Sequence, residues 1–326
     1  MSFRQITYAE AINEATAQAM EMDKNVIVLG QLADTPAGIF GTTTGLVQKF
    51  GPDRVQDFQV AENAMTAAAM GASLTGLRPI IVHQRLDFMI YSIDAIVNWL
   101  ALWYFKSNSM SSMPVTIRTV VGKGWGQGPQ HSKSLQSWFA HIPGLRVAMP
   151  ATAYDAKGLL LDSIFSEAPT FFIEGRSLFS MKSHVPEEPY RVHFGHATVR
   201  RKGTDVTIVA LGLMVPFAGR VAAELAKEGI EAEVIDLRTI SPWDKTTVLE
   251  SVQKTGRLVV ADPAWKSFGI AAEVVSVVTE QSFSSLKAPP LRIAHPDSHT
   301  PMSQTLEAAY YPTEANAVAQ IKSLFA

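Results

Sequence analysis

Glu62 is a lone carboxylate at the head of an otherwise small and apolar run, Glu62-Asn63-Ala64-Met65-Thr66-Ala67-Ala68-Ala69-Met70-Gly71, which follows a strand-like stretch at 54–58. Desolvation in such a place favours the protonated carboxyl, which can donate one directed hydrogen bond to a ligand. The plainer alternative is an acid stabilised by the helix dipole. A second chemical group is His131, at the end of the glycine-rich segment Gly122-Lys123-Gly124-Trp125-Gly126-Gln127-Gly128-Pro129-Gln130-His131-Ser132. No Gly-x-Gly-x-x-Gly spacing can be read there, and Pro129 stands where a dinucleotide-binding helix would begin. The segment reads instead as a loop whose backbone can approach a ligand closely, with His131 either presented to it or held as an ordinary loop histidine. A third candidate is His83-Gln84-Arg85-Leu86-Asp87-Phe88, at the C-terminal end of a strand, where open α/β sheets bind ligands. Its polar and aromatic groups could anchor a flat ring, or Asp87 could cap a helix and Phe88 pack in a core. His295 and His299 have His-x-x-x-His spacing, but the turn-like Pro296-Asp297-Ser298 separates them, so a metal site is weakly supported. No Gly-x-Ser-x-Gly elbow and no phosphate-loop pattern occurs.

The elements that must position these groups alternate along the chain. Helical periodicity covers Tyr8–Met22, with Ala11, Ile12, Ala15 and Ala19 on one face. Strand patterns follow at 25–30, 78–83, 115–121, 146–149 and 170–174, with helices at 62–74, 88–105 and 154–166 between them. A second series runs through strands at 205–211, 232–236, 257–261 and 291–294, with helices at 215–228, 245–254 and 270–281. Continuous Val/Ile/Leu strands between helices predict mostly parallel sheets covered on both faces. The expected fold is therefore α/β, with two doubly wound domains. The boundaries expected are 1–185 and 201–326, joined by a linker at 186–200 that contains Pro186-Glu187-Glu188-Pro189.

Composition narrows the function classes. The chain has 326 residues, 47% hydrophobic and 18% charged, and a net charge of −2. It is large enough for two cores, and nothing in its charge favours nucleic acid. With no cysteine there is no disulfide framework, thiolate metal site or cysteine nucleophile. The start, Met1-Ser2-Phe3-Arg4-Gln5, lacks the basic and apolar regions of a signal peptide. The apolar stretches read as interrupted before a membrane span is complete. A cytoplasmic location away from membranes is the expectation.

Longer stretches carry a family resemblance. They are Gly128-Pro129-Gln130-His131-Ser132-Lys133-Ser134, Trp138-Phe139-Ala140-His141-Ile142-Pro143-Gly144-Leu145, Tyr154-Asp155-Ala156-Lys157-Gly158-Leu159-Leu160, Val234-Ile235-Asp236-Leu237-Arg238-Thr239-Ile240-Ser241-Pro242-Trp243-Asp244 and Lys254-Thr255-Gly256-Arg257. In this order the chain resembles, over nearly its whole length, the β subunit of thiamine-diphosphate-dependent 2-oxo acid dehydrogenases, the E1 component of pyruvate and branched-chain complexes. The resemblance implies a pyrimidine-binding domain followed by a C-terminal transketolase-type domain. It implies that Glu62 hydrogen-bonds N1′ of the aminopyrimidine, that Phe88 lies against that ring, that Val60 makes a backbone contact beside it, and that His131 is the histidine of proton transfer or acyl-acceptor orientation. It also implies a structural potassium ion held by loop carbonyls between Tyr154 and Pro169.

Two absences and several departures refine the expectation. Diphosphate and Mg²⁺ binding in this superfamily uses Gly-Asp-Gly and a later Asn-Asn, and neither occurs here. The resemblance therefore implies a separate α subunit, an α₂β₂ heterotetramer and an active site shared between chains, with a lipoyl acyltransferase (E2) or another acyl acceptor downstream. The usual Gly-Glu-Asp-Val is Gly30-Gln31-Leu32-Ala33 here, and Glu-Ile-Gln-Phe is Val82-His83-Gln84-Arg85. Asn63-Ala64 and 262–267 also depart from the family pattern. His83 and Arg85 are thus candidate substrate residues for an anionic or hydroxylated compound. The alternatives are half of a split transketolase-like carboligase acting on a sugar-type or anionic substrate, and a non-catalytic assembly subunit.

Overall fold

The computed structural model describes residues 4–124 and 126–326; Trp125 of the glycine-rich loop and the first three residues lie outside it. The chain divides into two compact units. The first contains Met1–Gly122 and Trp138–Phe194, and the second Lys123–Ser137 and Gly195–Ala326. The glycine-rich segment with His131 thus folds with the second unit although the sequence around it belongs to the first.

In the first unit, β1 (Gln5–Thr7) leads into helix Tyr8–Met22. A reciprocal cap fixes this start: Thr7 Oγ1 accepts from the Glu10 amide, and Glu10 Oε2 accepts from the Thr7 amide at 2.7 Å. The strands that follow are β2 (Val26–Gly30), β3 (Val55–Asp57), β4 (Arg78–His83), β5 (Thr116–Val121), β6 (Arg146–Ala148) and β7 (Thr170–Gly175). They lie side by side in the order β6-β7-β5-β4-β2-β3, all parallel. Every residue of β2, β5 and β7 is buried, as in a sheet covered on both faces, although only β2 is an unbroken apolar run. β8 (Lys182–His184) returns antiparallel to β1. Helices Tyr8–Met22 and Ala153–Ile164 pack together, and helix Glu62–Leu74 packs on β4.

One buried ion pair crosses this sheet. Arg118 on β5 donates from Nε to Glu174 Oε1 on β7 at 2.7 Å and from Nη2 to Oε2 at 3.2 Å. Burial pushes the Glu174 carboxyl up, against the opposing pull of Arg118.

The expected helix at 88–105 is a helical run, Leu86–Lys106, interrupted by a 3₁₀ turn at Ile90–Ser92 and a π turn at Ile96–Leu100. By length and composition alone this run would be enough to cross a membrane, a test that a core helix of a globular protein also passes. A third of its most apolar window is buried in the protein, where helix Glu62–Leu74 packs on it. Its outer face carries Tyr91, Trp99, Tyr104 and Phe105, all exposed.

The stretch at 186–189 is held on the first unit. Lys157, its side chain fully buried, donates to Glu14 Oε1 at 2.5 Å and to the carbonyls of Pro186 and Glu187 at 2.7 and 2.9 Å. Arg4 donates to the Pro186 carbonyl as well.

The second unit adds β9 (Thr198–Arg201), β10 (Val206–Ala210), β11 (Ala232–Asp236), the short β12 (Thr239–Ser241), β13 (Leu258–Trp265) and β14 (Leu291–His295). Its sheet runs β14-β13-β10-β11-β9, parallel except for β9 at the edge. Helices Met214–Ala226, Lys245–Thr255 and Ile270–Ser282 cover it, as their spacing predicts. The antiparallel β9 has no counterpart in the sequence reading.

Candidate active site

The order of the first sheet identifies a crevice. From β2 the chain moves outward to β3, then returns to place β4 on the opposite side of β2. Loops leaving the C-terminal ends of β2 and β4 therefore diverge, and such a switch point is where open α/β sheets bind ligands. Gln31 follows directly after β2, and Gln84 and Arg85 directly after β4. The Gln84 side-chain amide donates to the Gln31 carbonyl at 3.4 Å, tying the two loops together.

Glu62 joins this crevice from the next element. It is the first residue of helix Glu62–Leu74 and is 9% exposed. Gln31 Nε2 donates to Glu62 Oε1 at 3.3 Å. The turn that delivers the helix is fixed by the Phe58 amide on the Gly30 carbonyl at 3.2 Å and the Leu32 amide on Asp57 Oδ1 at 2.6 Å. Val60, in that turn, is 82% exposed. Phe88, beyond β4, keeps 36% of its surface exposed where a core phenylalanine would not.

His83 and Arg85 are more buried than their polar types suggest. His83, the last residue of β4, is 2% exposed, and its Nε2 has no hydrogen-bond partner among the described residues. Burial pushes its imidazole down to about 3, so the ring is neutral at ordinary pH. Arg85 is 7% exposed, with its guanidinium carbon 5.2 Å from the centre of the Phe40 ring. Arg176, just past β7, lies 5.0 Å from the same ring. Burial and then the charge of Arg176 lower the Arg85 guanidinium, while Asp87 opposes them. Sequence reading met Gln31 only as a departure from the family pattern and did not single out Phe40 or Arg176. The available signal was position: Gln31 and Arg176 each immediately follow a strand that proves parallel, at its C-terminal end.

His131 is placed in the second unit, half-buried, while Glu62, Val60, Phe88, His83 and Arg85 belong to the first. His141 is exposed, and His295 is buried against the rings of Tyr310 and Tyr311. Among the described residues, no group of three or more histidine and carboxylate side chains is placed to hold a metal ion.

Residues 4–182 match the transketolase pyrimidine binding domain, and residues 195–316 match the transketolase C-terminal domain. The chain is 43% identical to the acetoin:2,6-dichlorophenolindophenol oxidoreductase subunit beta of Cupriavidus necator, over 97% of this chain and 96% of that one. It is 40% identical to the pyruvate dehydrogenase E1 component subunit beta of Bacillus subtilis (strain 168), over 94% and 95% of the two. The chain belongs to the transketolase-like family of E1 β subunits.

A solved structure described as a split gene transketolase, inactive beta4 tetramer, superposes on this E1 β-family chain with a TM-score of 0.79 at 26% identity, covering 98% of each. Within the E1 β frame, the crevice of Gln31, Glu62 and Gln84 falls inside the pyrimidine-binding match, and the His131 loop falls inside it by sequence while folding with the second unit.

Proposed function

We propose that this chain is the β subunit of a thiamine-diphosphate-dependent 2-oxo acid dehydrogenase or decarboxylase and supplies the pyrimidine half of its cofactor site. The observation that carries the proposal is the buried Glu62 carboxylate at the switch point between β2 and β4, held by Gln31 at 3.3 Å. The residues fit the group. The crevice offers one nearly buried acid, one part-exposed aromatic at Phe88 and one exposed residue at Val60.

When bound, thiamine diphosphate would supply the electron sink that accepts the bonding electron pair as a 2-oxo acid loses CO₂. Glu62 holds a proton at the pyrimidine ring nitrogen N1′ and so sets the proton affinity of the ring. Gln31 fixes the direction of that carboxyl, Phe88 orients the ring face, and the Val60 backbone borders it. His131 holds or moves a proton, or orients the acyl acceptor. Arg85, with Arg176 beside it on Phe40, recognises an anionic or hydroxylated substrate, with neutral His83 below.

Mg²⁺ and the diphosphate are held mainly by a partner α subunit, in keeping with the lack of Gly-Asp-Gly and Asn-Asn here. An α₂β₂ assembly, a structural potassium ion at carbonyls between Tyr154 and Pro169, acyl transfer to the lipoyl group of an E2 or to another acceptor, and a cytoplasmic location complete the reading. The names of the relatives, for acetoin and for pyruvate, favour a small carbonyl substrate. A second reading, half of a split transketolase-like carboligase, draws on the structural neighbour and on the cationic Arg85. The two separate by product: acyl transfer or a new ketol.

Calorimetric titration of thiamine diphosphate with Mg²⁺ into the purified chain tests the shared site. Weak or no binding by the chain alone, and tight binding once an α subunit is present, is the expected pattern. Tight stoichiometric binding to the chain alone would overturn the subunit assignment.

A further inference from the structure

The loop that carries His131 turns at three glycines. Gly124, Gly126 and Gly128 all have positive φ, at 82°, 67° and 68°. Glycine restricts the backbone little, and within the loop the His131 amide donates to the Gly128 carbonyl at 3.4 Å, so anchors outside the loop help to set where its side chains lie. The second unit provides them on both sides of His131.

On the near side, Glu307 projects from helix Gln304–Tyr310 and is 5% exposed. Its Oε2 accepts from the Gly126 amide at 2.9 Å, across 181 residues of sequence. Oε1 of the same carboxylate accepts from the Tyr311 hydroxyl at 3.4 Å. Met302, just before that helix, closes over the loop: a Cβ at Gly128 would meet its Cγ at 2.4 Å, and one at Gly126 would meet its carbonyl at 2.9 Å. The Lys123 ammonium rests 4.6 Å from the centre of the Tyr311 ring. On the far side, Gln136 Nε2 donates to Asp262 Oδ1 at 2.8 Å. Asp262 is fully buried on β13 and also accepts from the amides of Ala264 and Ala271. His131 stands midway, five residues after Gly126 and five before Gln136.

Met302 alone could cover the loop by apolar contact. A buried carboxylate aimed at one loop amide does something different: it sets a direction, because charge-assisted hydrogen bonds are short and directional. We propose that Glu307 is a positioning residue that fixes Gly126 and thereby sets where the His131 imidazole is presented. The proposal rests on the reading of His131 as the residue of proton transfer or acceptor orientation. It assigns a positioning duty to the C-terminal segment of the second unit, which meets the histidine loop at the Gly126 amide, at Gly128 and at Lys123.

The test compares wild type with Glu307→Ala and Glu307→Gln in the full-length chain. Amide exchange is followed over 122–131, and the His131 ring signal is followed in spectra of the chain labelled with ¹⁵N-histidine, assigned by its loss in His131→Ala. Glu307→Ala should speed Gly126 exchange about tenfold or more, the equivalent of losing a charge-assisted bond. It should also move or broaden the His131 signal. Glu307→Gln, which keeps an acceptor oxygen, should restore most of both. Should Glu307→Ala not fold, Gly128→Ala displaces the same loop against Met302 and should produce the same two changes. Unchanged exchange, or faster exchange with the His131 signal unmoved, overturns the proposal. In the assembled α/β enzyme, with pyruvate as substrate and 2,6-dichlorophenolindophenol as acceptor, Glu307→Ala should cut kcat by about ten- to a hundredfold with little change in KM. That loss should vanish in a His131→Ala background, and an undiminished loss there would sink the positioning role. Full activity of His131→Ala by itself would instead remove the reading of His131, and the proposal with it.

Discussion

Gln31 and Glu62 meet at 3.3 Å between loops that leave neighbouring elements of the first sheet, and the Gln31 carbonyl accepts from Gln84 across the same crevice. A carboxyl fixed in this way serves a ligand that needs a proton at one place. Glu62→Gln keeps the size and one acceptor oxygen but removes the acid. Activity of the assembled enzyme should fall by about 10²–10⁴, the usual worth of a positioned acid or base, while the midpoint of urea unfolding barely moves. Retained activity would reduce Glu62 to a helix-start acid.

Arg118 and Glu174 form a fully buried ion pair in the first unit. Their side chains are 0% and 1% exposed and joined by two hydrogen bonds. Removing one partner leaves the other charge buried without compensation. Glu174→Gln or Arg118→Met should each destabilise the first unit by about 3–5 kcal/mol. An apolar pair replacing both should recover most of that loss. Equal destabilisation by the single and double variants, in chemical denaturation, would contradict this account.

The sequence makes some of this architecture legible and hides the rest for physical reasons. Strands such as β2 and β10 are visible because each is a local, continuous apolar run. Glu62 is visible because an acid at the head of an alanine-rich helix stands out against its neighbours. The Gly126–Glu307 bond is invisible because its partners are 181 residues apart and one of them is a backbone amide. Pro186-Glu187-Glu188-Pro189 reads as a linker by composition, yet the buried Lys157 ammonium holds its carbonyls, and nothing local marks that lysine. β1 and β8 are short and pair through register alone, so no periodicity announces them. Arg176 stands out only once β7 is known to be parallel to β5.

Arg85 offers a test of substrate class. Its guanidinium shares the Phe40 ring with Arg176 and lies just past β4, at the crevice. Arg85→Ala should raise KM for a 2-oxo acid carrying a second anionic or hydroxyl group by about tenfold or more, the scale of one charge-assisted contact. KM for pyruvate should change far less. Equal effects on both classes, in steady-state kinetics of the assembled enzyme, would mean that Arg85 only packs on Phe40.

His295 should make the second unit sensitive to acid. It is 6% exposed, packed 5.4 Å from the Tyr310 ring and 5.0 Å from the Tyr311 ring, and its Nε2 has no hydrogen-bond partner among the described residues. Burial first, and the Lys123 charge second, push it down to about 3 from an ordinary value near 6.5. Between those two values the unfolded chain binds a proton that the folded chain refuses, so stability rises with pH across that window and falls as acid is added. The contribution approaches about 1.4 kcal/mol per pH unit in the middle of the window. His295→Phe keeps an aromatic ring against both tyrosines and removes the proton. Urea unfolding at pH 7, 6 and 5 should therefore show the variant losing less stability than wild type at each step down. Parallel losses would mean that His295 accepts its proton in the folded state as readily as in the unfolded one.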